Sequence, residues 1–239
     1  MNLDYTYLDC LALLGVGGAH PGGLGLTKDI LSKETIDKTT SVLDIGCGTG
    51  QTAAHIATQY NCQVSAIDNN RTMLEKAKER FFSLQLPIEL QQANAENIPY
   101  QENVFDIVLS ESVLSFTDVS KTIQEAHRVL KPNGILLAIE MTLDVHHSKK
   151  HLEEIKSFYG VPQLLTEFEW IIAFQKGGYN HINIEKHEIQ FNENNADDAA
   201  DFSLSEDIDY EYFTILKEHE NLANVYKDIL GFRIFRCSK

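Results

Sequence analysis

The sequence is short of positive charge: 20 Lys and Arg stand against 35 Asp and Glu, a formal net charge of −15 over 239 residues. Such a field repels phosphate backbones and anionic headgroups, so neither nucleic acid nor membrane is an expected partner. Cysteine is scarce too. Cys10, Cys47, Cys62 and Cys237 show no paired C-x-x-C spacing, so no disulfide framework and no metal site is indicated, and a reducing cytoplasm is the expected compartment. No apolar run reaches the roughly 18 residues of a membrane span, and Met1-Asn2-Leu3-Asp4 lacks the basic and apolar segments of a signal peptide. What is present is core material. An apolar fraction of 43%, with 12 Phe and 9 Tyr, suffices for one large globular domain or two small ones and excludes disorder as the main state.

Short apolar runs alternate with helical patterns from residue 41 to 140. Ser41 to Ile45, Gln63 to Ile67, Ile88 to Gln92, Phe105 to Ser110 and Ile135 to Ile139 read as strands, with helices over Thr72 to Phe82 and Ser120 to Leu130. The second helix stops at Lys131-Pro132-Asn133-Gly134, read as a tight turn. Five strands with crossovers make an α/β, doubly wound parallel sheet. Before it lie a flexible, Gly-rich entry, Gly15 to Gly25, and a helical pattern near Thr27 to Ile36. After it, Leu152 to Tyr159 and Thr166 to Gln175 read as helices, with Trp170 and Phe174 in the core, and His181 to Phe191 as a strand. Residues 192 to 220 carry ten carboxylates against one lysine, which fits a solvated loop leading into a helix, and Ile229 to Cys237 closes the chain as an aromatic strand.

Val42-Leu43-Asp44-Ile45-Gly46-Cys47-Gly48-Thr49-Gly50 puts a carboxylate two residues before a Gly-x-Gly-x-Gly turn, between a strand and a helix. The glycines allow close backbone approach and the helix N-terminus offers free amide donors, which together make a small-molecule cradle. A dinucleotide fingerprint needs a small residue at position 51, and Gln51 stands there. Asp44 also repels a pyrophosphate and attracts an ammonium or sulfonium, so S-adenosylmethionine fits better than NAD. Asp68, at the end of the second strand with Asn69 behind it, is placed to accept hydrogen bonds from ribose hydroxyls. Asn94-Ala95 follows the third strand, where an adenine edge would lie, and Ser110-Glu111-Ser112 ends the fourth, opposite the glycine loop.

These motifs resemble the class I S-adenosylmethionine-dependent methyltransferases, in particular the small-molecule group similar to ubiquinone and menaquinone biosynthesis methyltransferases. The resemblance rests on Val42 to Gly50, Asp68, Asn94-Ala95-Glu96-Asn97-Ile98-Pro99-Tyr100, Val104-Phe105-Asp106-Ile107-Val108, Arg128 to Gly134, and Thr166 to Gly178 before the closing strands. It implies a Rossmann-like sheet of seven strands, mostly parallel with an antiparallel last strand. One methyltransferase domain over 1–239 follows, with 1–40 as lid and cap helix, 41–140 as cofactor core and 141–239 on the substrate side. Asp44, Gly46, Cys47, Gly48, Gly50, Asp68, Asn69, Asn94, Ala95 and Ser110 are the expected cofactor contacts. The family usually has Asp at position 94; Asn94 still offers an oxygen to an adenine amino group, which predicts weaker selectivity rather than loss of binding.

The implied reaction is methyl transfer to a small acceptor, leaving S-adenosylhomocysteine. The sulfonium is already activated, so alignment and exclusion of water dominate, and a base is needed only for an acidic acceptor. His20, Glu111, Glu140 and His146 are the candidate bases. Cys47 reads as a turn filler, the His146-His147 and His151 group as a solvated helix start, and Tyr5 and Tyr7 as packing aromatics or lid hydroxyls. The rivals are a catalytically silent cofactor-binding module and an NAD-dependent oxidoreductase, the latter disfavoured by Gln51 and Asp44.

Overall fold

A computed structural model describes residues 6–144, 149–186, 201–205 and 208–239. The chain opens with α1 (Tyr7–Leu14), β1 (Val16–Gly17) and α2 (Gly23–Ser32). A reciprocal cap starts α1: Thr6 accepts the Asp9 N–H, and the Asp9 carboxylate accepts the Thr6 N–H. The central run is β2 (Ser41–Ile45), α3 (Gln51–Tyr60), β3 (Gln63–Asp68), α4 (Arg71–Ser83), β4 (Glu89–Gln92), β5 (Phe105–Glu111), a 3-10 turn at Leu114–Phe116, α5 (Val119–Val129) and β6 (Leu130–Leu143). Then come α6 (Lys149–Tyr159), α7 (Glu167–Lys176), β7 (His181–Glu185), β8 (Asp201–Phe202), α8 (Tyr210–Val225) and β9 (Leu230–Ser238).

The main sheet has seven strands in the order β4-β3-β2-β5-β6-β9-β7. The pairs among β2 to β6 are parallel, and β9 runs antiparallel to both β6 and β7, as the family resemblance implies. All five residues of β2 are buried, because helices cover both faces of a parallel sheet. Leu31, Ile56 and Phe81 from α2, α3 and α4 pack on one face against Val42, Leu109 and Leu137. Ile123, Trp170 and Phe174 from α5 and α7 pack on the other against Leu43, Val108 and Leu136. A third cluster joins Tyr7, Leu14, Ile155, Tyr159, Tyr212 and Ile215 of α1, α6 and α8 to Met73 and Leu143, beyond the carboxyl ends of the strands.

Three sequence expectations change. The stretch read as a turn at 131–134 lies inside β6, which begins at Leu130; the extra length is absorbed by a register shift against Phe105 and Ile107 and by a left-handed Asn133 at φ 66°. The cap helix α2 begins at Gly23 and ends at Ser32, earlier than the 27–36 pattern suggests. The entry, read as flexible, is ordered into α1 and β1, and β1 pairs antiparallel with β8 in a separate two-stranded sheet. Tyr7 is buried, edge-on to Tyr159 at 5.0 Å, and burial pushes its hydroxyl up, so it packs rather than serving as a lid hydroxyl. Strand β7 ends at Glu185; the remainder of the 181–191 expectation, and Tyr5, lie largely or wholly outside the described residues.

Candidate functional site

The strand order reverses about β2, whose neighbours β3 and β5 lead off in opposite directions, so a crevice forms at their carboxyl ends. The glycine loop lies there. Gly46, Gly48 and Gly50 all take left-handed backbone at φ 67°, 54° and 73°. A Cβ at Gly50 would strike Phe81 of α4, whereas one at Gly48 would meet nothing nearer than Met73 Sδ at 3.9 Å. Gly50 thus serves packing and Gly48 faces open space, as close approach of a ligand requires. Cys47 is buried in the turn with its N–H donated to the Ile67 carbonyl at 3.0 Å. Burial first, then the charges of Asp44 and Asp68, push its thiol well up, which suits a filler and not a nucleophile.

Three carboxylates converge beside this loop. Asp44 is 2% exposed, and its Oδ2 is buried with no hydrogen-bond partner. Burial first, then the charges of Glu111 and Asp68, push its carboxyl well above the usual carboxylate range, against one opposing N–H from Ala53. Asp68 Oδ2 accepts the Gly48 N–H at 2.9 Å and Oδ1 accepts the Asn70 N–H at 2.8 Å. Burial raises its carboxyl as well, opposed by the amides of Asn70, Gly48 and Asn69. Each Asp68 oxygen keeps a lone pair for a ribose hydroxyl. An acid left buried without a counter-charge is costly to folding, so its natural complement is a cationic ligand.

Glu111 is clasped from both sides. Its Oε1 accepts the Thr27 hydroxyl of α2, and its Oε2 accepts the Thr52 hydroxyl of α3 at 2.7 Å. His20 Nε2 lies 3.4 Å from Oε1 and 3.2 Å from Thr27 Oγ1, and the His20 and Glu111 side chains are only 2% and 9% exposed. The structure therefore brings His20 and Glu111 together, with Thr27 touching both and Thr52 holding the other Glu111 oxygen; sequence reasoning missed both threonines, because single hydroxyls within helices carry no pattern to flag them. Ser110 is fully buried with an unpartnered hydroxyl, and Gln51 Oε1 is likewise buried and unpartnered. Asn94 is exposed, with Oδ1 accepting the Glu96 N–H at 2.8 Å in a local turn. Ala95 is buried in the core, and the backbone carbonyl of exposed Asn69 accepts from Gln92 Nε2 at 3.1 Å.

Glu140 does not join the site. It is fully buried within β6, where Oε1 accepts the N–H groups of Val113 and Leu114 and Oε2 accepts the N–H and hydroxyl of Ser115. Burial pushes its carboxyl up to about 7, opposed by those donors. The candidate base is thus an anchor for the loop after β5: strand β6 runs on to Leu143, so position 140 is strand interior and not a loop end. His146 lies outside the described residues. A hollow of about 270 Å³ opens at the opposite, amino ends of the strands, lined by Ser41, Ser65, Glu89, Tyr100 and Lys131 among others, far from the glycine loop.

A parallel sheet with a glycine-rich loop at its switch point and crowded acids beside it defines a binder of a cationic nucleoside-type cofactor. Comparison with known proteins gives the family. The methyltransferase domain family matches residues 43–138. Over 236 residues the chain is 38% identical to Uncharacterized methyltransferase YodH of Bacillus subtilis (strain 168), covering 98% of this chain and 99% of that one. Over 134 residues it is 33% identical to ubiquinone/menaquinone biosynthesis C-methyltransferase UbiE of Haemophilus ducreyi, covering 54% of this chain and 52% of that one. Its fold matches that of Haemonchus contortus phosphoethanolamine N-methyltransferase 2 in complex with S-adenosyl-L-methionine, with a TM-score of 0.80 at 21% identity over 100% of this chain and 58% of that one. The chain belongs to the class I S-adenosylmethionine-dependent methyltransferases.

Proposed function

We propose that this chain transfers the methyl group of S-adenosylmethionine to a nucleophilic atom of a small organic acceptor and releases S-adenosylhomocysteine. The observation that carries the reading is Asp44, an orphaned buried carboxylate facing two further acids beside an open glycine turn. That donor set suits a ligand with an ammonium and a sulfonium, and it opposes the pyrophosphate of NAD. Asp44 neutralises the cofactor's positive end, Asp68 accepts from its ribose, and the Gly46-Cys47-Gly48 backbone and Gly50 shape the cradle. Asn69, Asn94, Ala95 and Ser110 complete the proposed contacts. The cofactor supplies a methyl group already activated for displacement, so the protein's work is to align the acceptor and keep water out. Where the acceptor sheds a proton, Glu111 is placed to hold it, with His20 against its Oε1. His146 stays a candidate by its position after β6 alone.

The whole chain, 1–239, works as one domain in this reading, with 1–40 covering the site, 41–140 holding the cofactor and 141–239 shaping the acceptor side. The charge of −15 supports a small acceptor over nucleic acid or an anionic membrane, and four free thiols support a reducing cytoplasm. The test is mass spectrometry of the ligand retained on purification, followed by labelled-methyl transfer to a panel of small phenols, amines and acids. Retained S-adenosylmethionine or its product with label on an acceptor is expected. Retained NAD would overturn the cofactor, and cofactor binding with no transfer would favour the silent-module rival.

A further inference from the structure

The small β1–β8 sheet joins segments far apart in the chain, with Val16 opposite Phe202 and Gly17 opposite Asp201. Two further backbone bonds extend it: the Ser203 N–H donates to the Gly15 carbonyl at 3.0 Å and the Ser205 N–H to the Leu13 carbonyl at 2.9 Å. This strap lies against the glycine loop. A Cβ added to Gly17 would sit 3.0 Å from Thr49 Oγ1 and 3.2 Å from Gln51 Oε1. Two cations of α4 fasten it. Lys76 Nζ donates to the Leu13 carbonyl at 3.2 Å and to the Ser203 carbonyl. Arg80 reaches both bodies at once: its Nε donates to the Thr49 carbonyl at 2.9 Å, and its Nη2 pairs with the Asp201 carboxylate. A planar guanidinium with donors on two edges holds both partners in one fixed geometry.

We propose that Arg80 is a positioning residue for cofactor binding, which fixes the Thr49 end of the glycine loop and, through Asp201, locks the strap over it. The inference rests on the reading of that loop as the cofactor cradle. Arg80 touches no reacting atom; it acts through Thr49 and Asp201. Residues 13–17 and 201–203 then open as one unit, and their opening limits how fast a bound nucleoside leaves.

The probe is S-adenosylhomocysteine, its release timed by stopped flow from the full chain and from Arg80→Gln, Asp201→Asn and the double variant. Each single variant should speed release about tenfold, because a charge-assisted bond is lost. The double variant should be no faster than Arg80→Gln, since both substitutions cut one link. Arg80→Lys should restore part of the slow release by keeping the charge opposite Asp201. Hydrogen exchange should rise together in 13–17 and 201–203 in either single variant while β2 to β6 stay protected, a joint response that a merely local contact would not give. Unchanged release, additive effects, or exchange rising in one arm alone would overturn the proposal. If Arg80→Gln fails to fold, Asp201→Asn decides alone. A wild-type chain that does not bind S-adenosylhomocysteine would overturn the cofactor reading, whereas tight wild-type binding with unaltered release in the variants would overturn only the role of Arg80.

Discussion

The two ends of the central sheet treat the same kind of side chain in opposite ways. At the amino ends, Asp106 accepts the Ser41 N–H and hydroxyl and the Lys131 ammonium at 2.7 to 2.8 Å. Burial raises its carboxyl, but Lys131 and Ser41 outweigh that and leave it below the usual carboxylate range. At the carboxyl ends, Asp44, Asp68 and Glu111 crowd together; burial and mutual repulsion push Asp44 up, and one of its oxygens has no partner at all. One end closes its charges within the chain. The other leaves a buried carboxyl without a partner, which folding alone would not select and a cationic ligand explains.

The largest expected effect comes from removing that unpartnered carboxyl. Asp44→Asn should weaken S-adenosylmethionine binding by about 2 to 5 kcal/mol, as for a buried charge partner lost from an interface, while leaving the thermal midpoint equal or higher. Calorimetric titration and a melting curve check the two halves, and a chain that unfolds instead would place Asp44 among the structural acids. Glu140→Gln inverts the pattern. An amide there would turn donors toward donors among Val113, Leu114 and Ser115, so denaturant melts should lose about 2 to 4 kcal/mol with cofactor affinity nearly kept. Next, Asp68→Ala should cost about 1.5 to 3 kcal/mol in cofactor affinity through the lost ribose hydrogen bonds; unchanged affinity in a folded variant would break its assignment.

The smallest effect belongs to the closed end. The Asp106–Lys131 pair is partly exposed, so Asp106→Asn should cost only about 0.5 to 1 kcal/mol of stability and nothing in cofactor affinity. Its carboxyl is depressed in the folded chain, so the contribution is present above the unfolded carboxylate range and fades as pH falls through the lower, folded value. Urea melts at neutral and acid pH should show the variant and wild type converging in acid.

Much of this was legible in sequence, for identifiable reasons. The run at 41–45 is β2 to the residue, because a strand buried on both faces shows in its apolar Val42, Leu43 and Ile45. The glycine loop and Asp68 stood out because spacing and residue type together constrain a turn. Glu140 misled because its apolar run ended one residue earlier, whereas the backbone ladder to β9 carries β6 on to Leu143. The α1 helix was missed although Thr6-x-x-Asp9 spells its cap, since the glycines after it drew the reading toward flexibility. The β1–β8 strap could not be seen: two-residue strands have no periodicity, and their pairing is between backbones separated by most of the chain.

The central claim is that Asp44 waits for a positive charge, and proton release measures it most directly. Without ligand its raised carboxyl holds a proton at pH values where an ordinary aspartate is ionised, and a bound cation favours the ionised form. Titrating S-adenosylmethionine calorimetrically in buffers of different ionisation enthalpy, over a range of pH, should therefore show protons released on binding and affinity that rises with pH until Asp44 is ionised unaided. Asp44→Asn should abolish both. Proton-neutral binding of equal strength at every pH in both proteins would contradict the account.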